Sequence, residues 1–197
     1  MKNDKCPGVD GFPAEFFKFF WEQLKDFILR ALNYAYDIGE LSISQRTCII
    51  SCFTKGKKPR EFLKNWRPIS LLSVVYKMAS SAIANRLKKV LIKLVSESQT
   101  RFISGRFIGE NTRIVYDIMH HLEKNNLQGL LMLIDFQKAF DSVSWDFLSD
   151  VLNFFNFGKD FIRWINVLNE NVQASVLQSG YLSEFFSIQR DVGREIR

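Results

Sequence analysis

Residues 130–134, Leu-Leu-Met-Leu-Ile, form an unbroken apolar run between Gly129 and Asp135. Its length suits a strand buried on both faces, so the rest of the chain must supply cover for both sides of a sheet. Much of that rest has helical spacing. Phe16, Phe17, Phe20, Leu24, Phe27, Ile28 and Leu32 recur on one helical face after Pro13, which predicts a helix to about Tyr36, ended by Gly39. Val75, Met78, Ala79, Ala82, Ile83, Leu87, Val90, Leu91 and Leu94 mark a second long helix, and Ile114, Val115, Ile118, Met119 and Leu122 a third. Further helices are expected over 143–155 and 161–169, broken at Gly158. Residues 47–53, 69–72, 172–177 and 185–188 read as strands. Residues 56–68 and 96–108 read as basic loops. Helices and strands mix without strict alternation, which points to an α+β fold.

The chain has 197 residues, 47% of them hydrophobic and 19 of them Phe, enough for a core and too apolar for disorder. The apolar runs are too short to span a bilayer. The start, Met-Lys-Asn-Asp-Lys-Cys, has no apolar signal region, so nucleus or cytoplasm is expected and neither secretion nor a membrane. Cys6, Cys48 and Cys52, an odd count, read as reduced thiols. Cys48 and Cys52 could share one strand face, but no further Cys or His is near enough for a zinc site.

The net charge of +6 is unevenly placed. Thr54 to Arg106 holds 13 Lys or Arg against Glu61 and Glu97 alone, so that segment carries +11 and the remainder −5. Basic residues interleaved with Phe62, Trp66, Tyr76, Phe102 and Phe107 suit a phosphate backbone and stacked bases. Lys88, Lys89 and Lys93 are equally explained by a solvated helix face. The loop cations Lys57, Lys58, Arg60, Lys64, Arg101 and Arg106 are the nucleic-acid candidates.

An apolar strand ending in a carboxylate can hold a hard cation at a rigid point. That description fits the run into Asp135, continued by Phe136-Gln-Lys-Ala-Phe140-Asp141-Ser-Val. The whole string resembles the first catalytic motif of reverse transcriptases in the form used by LINE-type, non-LTR retrotransposons. Pro7-Gly-Val-Asp-Gly11 with Glu15-Phe-Phe17, Lys64-Asn-Trp-Arg-Pro-Ile-Ser-Leu-Leu72, Asn85-Arg-Leu87 and Arg106-Phe-Ile-Gly-Glu-Asn111 resemble further motifs of that family, in its order.

The resemblance implies fingers and an incomplete palm of a right-hand polymerase, helix-rich with a small, mostly antiparallel sheet. It implies fingers over 1–108 and partial palm over 109–190. The implied parent activity is RNA-directed DNA synthesis from dNTPs with Mg2+, on an RNA template and a DNA primer. Asp135 would bind both magnesium ions, which activate the primer hydroxyl and neutralise the leaving pyrophosphate. Phe136 would lend its backbone carbonyl to one ion. Phe140 resembles the gate that excludes a ribose 2′-hydroxyl. Lys55 and Arg67 resemble the residues that hold the incoming triphosphate, a task suited to the arginine fork. The alternative for Arg67 is a salt-bridged loop residue. Asp141 is expected to cap the helix beginning near Val143.

There are departures from the family. It has Gly where this chain has Arg101, and Asp where this chain has Val75. Its Arg-Gln-Gly motif and its Asp-Asp hairpin are not among the 197 residues. One Asp is too small a ligand set for two octahedral ions, so this polypeptide is expected to be inactive, and a non-catalytic nucleic-acid-binding remnant or a module with another role remain alternatives. The tail from Arg190 reads Arg-Asp-Val-Gly-Arg-Glu-Ile-Arg197, where the family has Arg-Gly-Cys-Arg-Gln-Gly-Asp-Pro. Deleting one base from permitted codons of the second string yields the first. Residues 191–197 are therefore expected to be the motif out of frame, by deletion or gene-model error; a divergent tail is the alternative.

Overall fold

The computed structural model describes residues 1, 3, 5–56, 58–136 and 142–190. The chain packs as two compact units: Met1–Ile83 with Lys138–Arg197, and Ala84–Gln137.

In the first unit the expected N-terminal helix is two, α1 (Ala14–Phe19) and α2 (Trp21–Ile38). They part at Phe20, whose φ of −95° and ψ of 20° leave the helical region. Gly39 ends α2 in the left-handed conformation that a Cβ disfavours, donating its N–H to the Ala35 carbonyl. The short helix α3 (Ile43–Arg46) carries a capping box in which Ser42 and Gln45 exchange side-chain bonds. It leads into β1 (Thr47–Thr54), which pairs antiparallel with β2 (Trp66–Leu71). β2 begins earlier than the sequence suggests, so Trp66, Arg67 and Pro68 lie in a strand and not in the preceding loop.

Helix α4 (Val74–Leu94) starts at Ser73, whose hydroxyl accepts the Tyr76 N–H at 3.2 Å. After the second unit come α6 (Trp145–Phe154) and α7 (Lys159–Asn169). The cap of α6 is Ser144, which accepts from the Phe147 N–H, in place of the expected Asp141. β3 (Gln173–Gln178) then pairs parallel with β1, and its other edge is shared by β4 (Tyr181–Leu182) and β5 (Phe186–Ser187), both antiparallel. The sheet order is β2-β1-β3-β4, so the fold is α+β, helix-rich, with a small sheet.

Two apolar clusters hold this unit. Ala35, Leu41, Ala79, Ile83, Leu152, Ile162, Ile165, Val167 and Leu168 join α2, α4, α6 and α7. Cys48, Leu72, Val172 and Ala174 close one side of the sheet. The Pro7-to-Gly11 stretch is a turn, with the Gly11 N–H on the Gly8 carbonyl at 3.1 Å. A Cβ at Gly8 would lie 2.5 Å from the Ser73 nitrogen and 2.6 Å from the Leu72 carbonyl carbon, so glycine is required by close backbone approach.

The second unit holds the C-terminal half of α4, the loop 95–108 and α5 (Gly109–Lys124). Among its described residues only Thr100 is buried, and Ile114, Ile118 and Met119 of α5 stay exposed. Residues 130–134 form no strand here, and Leu133 is 84% exposed. An apolar run becomes a strand only when another strand satisfies its backbone. In the sheet, β3 has both edges taken, by β1 and by β4 with β5. Among the described residues no helix is long and apolar enough to cross a membrane.

Candidate nucleotide and nucleic-acid interface

The β1–β2 register pairs Phe53 with Arg67 and Thr54 with Trp66. The Lys55 N–H continues the ladder to the Asn65 carbonyl at 2.7 Å. Side chains alternate along a strand, so Phe53, Lys55 and Arg67 share one face. The opposite face carries Cys48 and Ile50 into the core. Lys55 and Arg67 are thus diagonal neighbours on the solvent side, a spacing that long side chains bridge readily. Arg67 is exposed and has no carboxylate partner among the described residues, so the salt-bridged alternative is not what the structure shows.

The loop between the strands is stapled by its own polar groups. Asn65 Nδ2 donates to the Pro59 carbonyl at 2.8 Å, and Trp66 Nε1 to the Arg60 carbonyl at 2.8 Å. Lys55 Nζ donates to the Lys64 carbonyl at 2.6 Å. These bonds leave Lys58, Arg60 and Lys64 exposed, with the Lys64 ammonium 5.4 Å from the centre of the Phe62 ring. Lys57 lies outside the described residues.

In the second unit Arg106 is engaged internally. Its guanidinium donates to the carbonyls of Ile92 (3.1 Å), Val95 (3.0 Å), Gln99 (2.8 Å) and Ser96. The end of a helix leaves carbonyls without partners and carries partial negative charge, and an arginine fork satisfies both. Asn111 adds a bond to the Ser98 carbonyl at 3.0 Å. The braced loop displays Arg101, whose guanidinium sits 5.1 Å from the centre of the Phe102 ring. Phe102 is held at a φ of 66°, unusual for a bulky residue. Nothing local in the sequence marks the roles of Arg106 and the Lys55 ammonium, because their partners are backbone carbonyls.

Asp135 and Phe136 are exposed and outside any strand, and Phe140 and Asp141 lie outside the described residues, as does the tail 191–197. Reverse transcriptases generally use a divalent metal. Among the described residues no group of three or more His, Cys, Asp or Glu is placed to hold one. A lone exposed carboxylate does not fill an octahedral shell, so the described residues do not fit a two-magnesium centre.

Among the perturbed groups away from these loops are Cys48 and Glu40. Burial pushes the Cys48 thiol up to about 11. A hydrogen bond from Asn171, with the Arg46 guanidinium beside it, holds the Glu40 carboxyl below its usual range. Both brace the first unit, the second by tying the β1 approach to the turn before β3.

The profile of the family described as "Reverse transcriptase (RNA-dependent DNA polymerase)" matches residues 55–184, more than half of the chain. The chain therefore belongs to the reverse transcriptase family. It is similar to the Transposon TX1 uncharacterized 149 kDa protein of Xenopus laevis, 35% identical over 176 residues, which covers 89% of this chain and 13% of that protein. It is also similar to the Retrovirus-related Pol polyprotein from type-2 retrotransposable element R2DM of Drosophila melanogaster, 28% identical over 189 residues, covering 94% of this chain and 17% of that one. The chain thus spans less than a fifth of the length of these relatives. Their kind agrees with the non-LTR reverse transcriptases that the sequence motifs resemble.

Proposed function

We propose that this chain is the fingers region and the first part of the palm of a non-LTR retrotransposon reverse transcriptase, over 1–108 and 109–190. The whole protein copies an RNA template into DNA from a DNA primer and dNTPs, in the nucleus or cytoplasm. Within it, Lys55 and Arg67 hold the triphosphate of the incoming nucleotide, and Phe140 gates its sugar. Lys57, Lys58, Arg60, Lys64 and Arg101 lie along the nucleic-acid backbone. Arg106 serves that surface by holding the loop that carries Arg101. Asp135, with the Phe136 carbonyl, is one part of a Mg2+ site whose companions are not among the described residues.

The observation that carries this reading is the shared face of Lys55 and Arg67 on the β1–β2 hairpin, with no carboxylate partner for the arginine among the described residues. Anisotropy of a labelled single-stranded RNA, titrated with the chain across a salt series, tests it. Each phosphate contact on a single strand contributes about 0.7 to the slope of log K against log salt. Replacing Lys58, Arg60, Lys64 and Arg101 by Gln should flatten the slope by about 2–3. An unchanged slope refutes the assignment of those four. A second reading, a remnant that binds nucleic acid without catalysis, is favoured by Asp135 having no cluster of further metal-ligating side chains among the described residues.

A further inference from the structure

We infer that Lys55 is a latch: a polyphosphate draws its ammonium off the Lys64 carbonyl and so releases the loop that this bond braces. The inference rests on the nucleotide-binding reading of Lys55 and adds a conformational consequence to it.

In the structure the Lys55 ammonium is bonded to the Lys64 carbonyl at 2.6 Å. That bond spans the base of the loop, since the Lys55 N–H already meets the Asn65 carbonyl on the same side. A lysine has three ammonium donors, but its stem reaches in one direction at a time. To contact a phosphate on the Arg67 side of the hairpin, Nζ must swing toward the solvent face that the two side chains share. A neutral carbonyl competes poorly with an anion for an ammonium, because charge-assisted bonds are roughly twice as strong as neutral ones. The triphosphate wins the contest, and the Lys64 carbonyl loses its partner.

Among the described residues the loop then keeps the Asn65–Pro59 and Trp66–Arg60 side-chain bonds and the Asn65 N–H on the Phe62 carbonyl. Lys64 and Arg60 are cations on the released arm, and Leu63, next to Lys64, is 89% exposed. Freed of the latch, the arm can follow the anion that opened it. Ordinary ligand binding slows backbone exchange; here binding should speed it in one segment.

Hydrogen–deuterium exchange of the full chain, with and without inorganic tripolyphosphate, reads this directly. Binding is measured separately by calorimetry. In the wild type, saturating tripolyphosphate should speed exchange of amides in 58–65 by about tenfold or more, while β1 and β2 are unchanged. Lys55→Met should exchange fast in that segment without ligand and show no further response, and a melting temperature near that of the wild type shows that it folds. The wild-type arm stands without any variant. Tripolyphosphate that binds but leaves the loop equally or better protected overturns the latch and spares the site. No binding of tripolyphosphate overturns both.

Discussion

Gly8 and Gly11 share one turn but are glycines for different reasons, and their substitution separates close approach from backbone conformation. A Cβ at Gly8 would meet the Ser73 nitrogen at 2.5 Å, the Leu72 carbonyl carbon at 2.6 Å and its oxygen at 2.7 Å. All three atoms are backbone, so no rotamer change relieves them. Ser73 is also the cap of α4 and is 1% exposed, so the strain falls on the start of a core helix. Overpacking of this kind costs about 1–3 kcal/mol, and the rigid neighbour places Gly8→Ala near the upper end, about 2–3 kcal/mol. For a chain of this size each kcal/mol lowers Tm by roughly 2–4 °C, so the expected loss is about 4–12 °C.

At Gly11 the situation is the reverse: φ is +73° and nothing lies within 4 Å of a Cβ. Gly11→Ala therefore costs only the left-handed penalty, about 1–2 kcal/mol, and Gly11→Asn recovers part of it because Asn tolerates that conformation. Gly8→Asn recovers nothing. Thermal unfolding followed by circular dichroism compares the four variants. A Gly8→Ala protein melting within 2 °C or so of the wild type, or Asn rescuing position 8 and not 11, would refute the reasoning.

Arg106→Met removes four bonds to carbonyls at the end of α4 and in the loop that follows it and should destabilise the second unit by about 2–3 kcal/mol, with Arg106→Lys recovering less than half; exchange of amides in 92–99 measures it. Cys6 is exposed and Cys48 fully buried, so iodoacetamide at mildly alkaline pH should label Cys6 first and Cys48 only on unfolding, read by mass spectrometry. The raised Cys48 value means the folded chain keeps a proton that the unfolded chain loses, so stability present below pH 9 should fall as pH rises toward about 11, and Cys48→Ala should flatten that loss. The 197-residue polypeptide should not extend a primer on RNA with magnesium and dNTPs. Incorporation that Asp135→Ala abolishes would show that expectation to be wrong.

The helices were the legible part of the sequence. Their apolar residues recur at helical spacing and their ends carry Pro13 and Gly39, which act locally. The break at Phe20 was not legible, because three consecutive aromatics fit either side of it equally well. Strand β1 showed in its β-branched run, but pairing did not. The β1–β3 pair joins segments far apart in the chain, and no local pattern encodes a parallel partner. The same blindness misplaced residues 130–134: apolar composition is a property of the segment, while a strand is a property of two. At the site, Lys55 and Arg67 could be named from their motifs. Their shared face follows from the register, and the use of Arg106 as a brace follows from carbonyls that every residue possesses.

The parallel pairing of β1 with β3 has a consequence for how the chain is made. The β1–β2 hairpin is complete once Leu71 has left the ribosome, but the strand that closes its inner edge begins at Gln173. At roughly 5–20 residues per second, the stretch 72–172 takes about 5–20 s to synthesise. Through that interval β1, the central strand of the finished sheet, is an open edge bearing Cys48 and Ile50. A nascent chain in this state is most exposed to misassociation midway through its own translation, and slowing the ribosome between Leu72 and Val172 should lower the yield of folded protein more than slowing it after Gln178.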